Sequence, residues 1–200
     1  MGRLFIWLIL PLFLAGCAYT AEPIWASDEV VAQAVYREPG PTSLTLFTVI
    51  NNRSGAGAHA GLMINASQRV MFDPAGTWWN PSVPERNDVH YGITPRVLEY
   101  YIDYHTRETF RTVVQTMEVS PEVAEAALRA VQAYGAVPKA QCTVAISAIL
   151  KGLPGFEEFP RSWFPKVAMR AFEQYPGVTT EVIYDDDADD NSSVLAGQQS

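Results

Sequence analysis

Cysteine and histidine are scarce in this 200-residue chain, which makes their positions informative: Cys17 and Cys142, and His59, His90 and His105. Cys142 opens a run, Cys142 to Leu150, whose side chains are apolar or small on every side. A helix without a polar face is a buried one. A thiol in its first turn meets unpaired N–H donors and the positive end of the helix dipole. Both favour the thiolate, moving the thiol below its ordinary value of ~8.5, and the same N–H groups suit an oxyanion formed beside the sulfur. The competing reading is a small residue that fills a core helix, a common place for free cysteine.

A nucleophilic thiolate needs a base. His90 lies in a polar, irregular stretch and reads as a solvent-facing loop residue. His105 follows Tyr100-Tyr101 beside Arg107 and Glu108 and reads as exposed at a helix end. His59 is the better candidate. It stands where Gly55-Ala56-Gly57-Ala58 runs into an apolar strand, and such small neighbours leave room for a substrate or another helix to approach. A strand-edge histidine satisfied by backbone would look the same. A third group orients the imidazole in such sites. Asp73 ends the strand that follows His59, and a hairpin closed near its tip sets residues 59 and 73 close to opposite each other. A one-residue slip would put them on different faces. Asp73 before Pro74 also suits a turn, and Asn65 and Gln68 are weaker alternatives for the same role.

The elements that must position these residues are legible in outline. Residues 44–50 are β-branched and apolar, a strand. Residues 59–64 and 69–72 read as two strands joined at 65–68. Residues 74–93 are irregular and include Trp78-Trp79, which, like Tyr100-Tyr101, could line a cleft or belong to the core. Thr94-Pro95 and Ser120-Pro121 are both cap-plus-proline helix starts. Val97, Leu98, Tyr101 and Ile102 face inward from the first helix. Val123, Ala127, Leu128, Val131 and Tyr134 do so from the second, which Gly135 ends. Residues 110–119 form a strand between them. Trp163-Phe164-Pro165 opens an amphipathic helix that ends before Pro176, and 178–184 is a last strand. A short helix is expected around 27–36. No internal repeat is present. The fold class is α+β: an antiparallel sheet of about five strands against a buried, cysteine-bearing helix and two or three further helices.

The N-terminus points to a compartment. A short basic start is followed by Leu4 to Leu14, apolar but too short for a membrane span of ~20 residues and of the length of a signal-peptide core. The run Leu14-Ala15-Gly16-Cys17 closes it. This resembles the lipobox of bacterial lipoproteins; an ordinary signal peptide cut elsewhere, or an uncleaved anchor, are the alternatives. The resemblance implies cleavage after residue 16 and lipid on Cys17, with several acyl chains at roughly 0.8 kcal/mol per buried methylene holding the protein to a membrane. Ala18 carries no inner-membrane retention signal, which favours an outer membrane facing the periplasm. The expected organisation is a signal peptide over 1–16, a lipidated tether over 17–42, a globular unit over 43–184 and a disordered acidic tail over 185–200. The formal net charge is −8. With no basic cluster, this argues against nucleic acid and against binding anionic headgroups by charge alone.

The order His59-Ala60-Gly61-Leu62-Met63-Ile64, then Phe72-Asp73-Pro74, then Gln141-Cys142-Thr143-Val144-Ala145 resembles the circularly permuted, NlpC-like branch of papain-like proteins. That branch includes the lecithin retinol acyltransferase-like families. The resemblance spans roughly residues 44–152. It implies a permuted papain-like fold with Cys142 as nucleophile, His59 as base and Asp73 holding the imidazole tautomer. Backbone N–H near Cys142, helped by Gln141, would receive the oxyanion, and Trp78 and Trp79 would contact substrate. The implied reaction is hydrolysis or acyl transfer at an amide or ester through an acyl-thioester, with no metal and no cofactor. In the cell envelope the candidate substrates are peptidoglycan peptides, acyl lipids and envelope proteins. The alternative is a catalytically silent papain-like lipoprotein that binds or scaffolds. A redox role is disfavoured by the absence of a Cys-x-x-Cys pair.

Overall fold

The computed structural model describes residue 21 and residues 23–191. The apolar N-terminal run, the Leu14–Cys17 motif and Ala18 lie outside the described residues. The fold is α+β, an open antiparallel sheet with helices on both faces. In chain order its elements are α1 (Asp28–Gln33), β1 (Ser43–Asn51), β2 (Gly57–Asn65), β3 (Arg69–Phe72), β4 (Glu85–Arg86), β5 (Val89–Tyr91), α2 (Pro95–His105), β6 (Phe110–Glu118), α3 (Pro121–Tyr134), α4 (Cys142–Lys151), α5 (Pro165–Phe172) and β7 (Thr179–Ile183). The strands lie in the order β4-β5-β3-β2-β1-β6-β7.

Strand periodicity divides the core in two. Leu44 and Leu46 of β1, Ala60, Leu62 and Ile64 of β2, and Val70 and Phe72 of β3 share one face. They pack with Ala124, Ala127, Leu128 and Val131 of α3, Ala145, Ile146 and Ile149 of α4, and Ala168 and Phe172 of α5. Phe47, Met63 and Met71 point to the other face, where Trp78, Ile93 and Tyr101 cover them. Covering both faces explains why β1 is buried at every position from Leu44 to Ile50. The capping signals act as read. Thr94 and Ser120 accept from the N–H groups of Val97 and Val123, and Ser27 caps the short α1.

The sheet has seven strands rather than about five, and the two unexpected ones arise in the stretch read as irregular. β4 and β5 are joined by Asn87 and Asp88, whose φ values of 48° and 66° are those of a two-residue hairpin turn that twists with its strands. Pro81, Pro84 and Gly92 around the pair obscure the pattern. β5 then completes β3 by pairing Met71 with His90, so His90 is buried within the sheet rather than solvent-facing.

Two further segments lie closer to the body than expected. Val31 and Ala34 of the segment read as tether pack against the core. The first part of the acidic tail is docked rather than disordered. Arg107, which is buried, bonds Asp187 at 3.0 Å and Asn191 at 2.7 Å, and Asp189 accepts from Thr109. Burying a guanidinium requires paired acceptors, and the tail supplies two of them beside Asp103 of α2.

Ile146 is fully buried where α4 meets the sheet. Ile146→Ala should therefore lower unfolding free energy by about 2–5 kcal/mol, measured by urea denaturation at neutral pH.

Candidate active site

Local structure delivers Cys142 to the sheet. Ala140 holds φ 65°, a left-handed conformation that an L-residue adopts at a cost of roughly 1–2 kcal/mol. Strain of this kind concentrates at functional sites. Gln141 follows at the N-cap of α4, with no capping hydrogen bond from its side chain. Cys142 is therefore the first residue of the helix, beside first-turn N–H groups that the N-cap side chain does not occupy. Its side chain is buried, with Thr143 Oγ1 3.8 Å from the sulfur.

His59 lies near the start of β2, opposite Val49 and beside the irregularity between Val49 and Ile50. β3 pairs with β2 only as far as Phe72 opposite Leu62. Continuing that register sets Asp73 beside Gly61, two residues along from His59 and on the same face. The two are thus diagonal neighbours, and their side chains meet. His59 Nε2 donates to Asp73 Oδ1 at 2.7 Å. His59 also lies close enough to the Cys142 sulfur to favour its ionised form. The Ala60 backbone N–H reaches the same sulfur, at the β2 edge that β3 has left open. The three predicted residues are contiguous in the order Asp73, His59, Cys142.

Two residues given no catalytic role from the sequence complete the site. Tyr101 of α2, fully buried, donates its hydroxyl to Asp73 Oδ1 at 2.8 Å. It can do so only because position 61 is glycine, since a Cβ there would overlap the Tyr101 hydroxyl. Glycine inside a strand often marks such a close approach, so this signal was available. His105, one helical turn beyond Tyr101, is half-buried rather than exposed. Its ring stacks on His59 with centroids 5.4 Å apart and planes 9° apart, and its Nδ1 donates to the Tyr101 carbonyl at 2.8 Å.

The electrostatics separate the three histidines. Burial alone would push His59 down, but the charge and hydrogen bond of Asp73, with the Cys142 sulfur, outweigh it and raise the imidazole to about 10. Burial alone would raise the Asp73 carboxyl; the His59 charge and hydrogen bond hold it well below the usual carboxylate range. For Cys142, burial opposes ionisation, yet the hydrogen bond and charge of His59, then Thr143 and the Ala60 N–H, bring the thiol below its ordinary value. His90 and His105, without a bonded carboxylate, are pushed by burial down to about 4 and stay neutral. At neutral pH His59 is an imidazolium, held between the Asp73 carboxylate and a thiol whose ionisation it favours.

The aromatic residues divide. Trp78 is buried, packed edge-on against Tyr101 and His90, so most of its ring serves the core. Trp79 is about half exposed. Both line a cavity of about 290 Å³ with Asp73, Glu85 and Asp88, bordering Asp73 rather than the sulfur. Burial and the neighbouring Asp88 and Asp73 charges push Glu85 up to about 7 against the Asp88 N–H that bonds it. His59, Asp73 and His105 also bring ligand-type atoms within 4.8 Å of one another; a metal held there would compete with the His59–Asp73 hydrogen bond. Comparison with models of protein families, with curated proteins and with solved structures finds no match for this chain.

Alkylation of Cys142 by iodoacetamide should already be fast below the ordinary thiol range and hold a plateau up to about pH 10, where His59 loses its proton. His59→Ala removes the charge and hydrogen bond but leaves the burial, so the rise should move to higher pH. Gly61→Ala should lower stability by about 1–3 kcal/mol and, by displacing the Tyr101 hydroxyl from Asp73, also alter the alkylation profile. A stability loss with an unchanged profile would show that Tyr101 does not position the carboxylate.

Proposed function

We propose that this protein is an envelope-anchored cysteine hydrolase, a peptidase or amidase, or an acyltransferase, acting on an amide or ester through an acyl-thioester on Cys142. The observation that carries the reading is the Asp73–His59 hydrogen bond beside a thiol at the first turn of a buried helix, whose ionisation His59 favours. The papain-like relationship in permuted order is part of the same proposal, supported by the strand order of His59 and Asp73 before the cysteine helix.

The chemistry follows from the charge state. The Cys142 thiolate attacks the carbonyl carbon, forming a C–S bond while the oxygen becomes an oxyanion near the first-turn N–H groups of α4. Gln141, the N-cap residue whose side chain makes no capping hydrogen bond, would assist. As the tetrahedral species collapses, the C–N or C–O bond breaks and His59 gives its proton to the departing amine or alcohol. Neutral His59 then takes a proton from water, or from an acceptor hydroxyl or amine, which attacks the thioester. Breaking the C–S bond restores the thiolate and imidazolium. Asp73, held by Tyr101, keeps the imidazole in one orientation and stabilises its charge.

Lipid on Cys17 would hold this chemistry at a bacterial membrane, with the outer membrane's periplasmic face preferred. Peptidoglycan peptides, acyl lipids and envelope proteins are the substrates in reach. One observation favours a second reading, a catalytically silent binding module. Cys142 is only 6% exposed, and the Trp79 cavity opens on Asp73.

The two readings part on covalent chemistry. Incubation with p-nitrophenyl acetate should place one acetyl group on Cys142, seen by intact mass, and then release it. Cys142→Ala should abolish the adduct, and His59→Ala should slow turnover by about 10²–10⁴-fold. Absence of an adduct on folded protein, or equal rates with and without His59, would leave the binding reading.

A further inference from the structure

The segment leading into α5 presents large apolar side chains outward on a rigid support. Trp163 is 60% exposed, Phe164 69% and Val167 39%. The support is firm on three sides. Ser162 N–H bonds Ser147 Oγ of the cysteine helix at 3.3 Å. Pro165 is buried against Gly57, where an added Cβ would press on its ring. Lys166 Nζ donates to the Gly55 carbonyl at 2.7 Å. The aromatic pair is therefore fastened to the loop that leads into His59, and its exposure is not that of a loose loop.

Charge identifies what this surface fits. Residues 160–172 contain Arg161, Lys166 and Arg170 and no acidic residue, in a chain of net charge −8. Solvent-facing Trp and Phe flanked by basic side chains match the boundary between headgroups and acyl chains, where aromatic rings concentrate and each cation adds attraction to anionic lipid. The N-terminal sequence gives a reason for a bilayer to be near. The apolar run Leu4 to Leu14 ends at the Cys17 motif, six residues before Pro23, a span of about 20 Å at most for extended chain.

We propose that Trp163, Phe164 and Val167, with Arg161 and Arg170, form a second membrane contact that seats the folded body on an anionic phospholipid surface. This contact is separate from any attachment at Cys17 and independent of the chemistry at Cys142. It combines aromatic insertion with the charge of Arg161 and Arg170, although Glu157, Glu158 and Glu173 flank the stretch.

The test uses a chain beginning at Ala18, which keeps the whole fold because both core clusters lie between Val31 and Val178. Flotation with phosphatidylethanolamine–phosphatidylglycerol vesicles should recover the protein with the lipid, less so at high salt. The double variant Trp163→Ser/Phe164→Ser should bind roughly tenfold or more weakly. Arg161→Glu/Arg170→Glu should also reduce binding, chiefly to phosphatidylglycerol-containing vesicles. The Cys142 alkylation rate of each variant reports that the fold is intact, and it separates this proposal from the enzymatic one. Vesicle binding with an inert thiol leaves the membrane contact standing. Failure to float, equal flotation by the aromatic double variant, or self-association abolished by that variant without vesicle binding would overturn it.

Discussion

A buried carboxylate organises this molecule. Asp73 leaves the end of β3 and is almost wholly enclosed, a position in which an unpaired charge is costly. His59 and Tyr101 both donate to its Oδ1. Meeting that requirement fixes the start of β2, the phase of α2 and the absence of a side chain at Gly61. It also decides the protonation of His59, and through His59 that of Cys142. Without the carboxylate, burial would pull the imidazole down and weaken its hold on the thiol.

The sheet is arranged to make this possible. β3 stops at Phe72 while β2 continues to Gly57, so the β2 backbone is free on one edge just where His59 and Ala60 lie. The first turn of α4 comes to that edge, and the Ala60 N–H and the imidazole meet the sulfur together. The strained Ala140 turn sets the approach. On the other side, α5 leans its first turn on the 51–58 loop through Pro165 and Lys166. The site is thus enclosed by elements from four parts of the chain, and the outward aromatic pair is tied to the same loop.

Much of this was legible in sequence because it is local. The β-branched and apolar runs over 44–50 and 59–64, the Thr-Pro and Ser-Pro caps, and the all-apolar run from Cys142 each carry their own signal. The His59–Asp73–Cys142 set could be proposed because the hairpin between the first two limits their separation. What escaped depends on long-range packing. The Asn87-Asp88 turn lacks the glycine that usually announces such a hairpin, so β5 and the burial of His90 were hidden. Tyr101 and His105 read as an ordinary inward residue and an exposed helix end. Only the docking of α2 against β2 brings one onto Asp73 and the other onto the His59 ring. Docking of the acidic tail depends in the same way on a distant partner, the buried Arg107.

The central claim is that His59 is an imidazolium at neutral pH, held so by Asp73, and that it brings the Cys142 thiol below its ordinary value. Its most direct test is an NMR titration of the His59 ring in isotope-labelled protein, followed through the ring nitrogen shifts. The account predicts a ring that stays doubly protonated through neutral pH and titrates near 10, while His90 and His105 remain neutral down to about 4. A His59 that titrates near 6.5, as a free imidazole does, would contradict it.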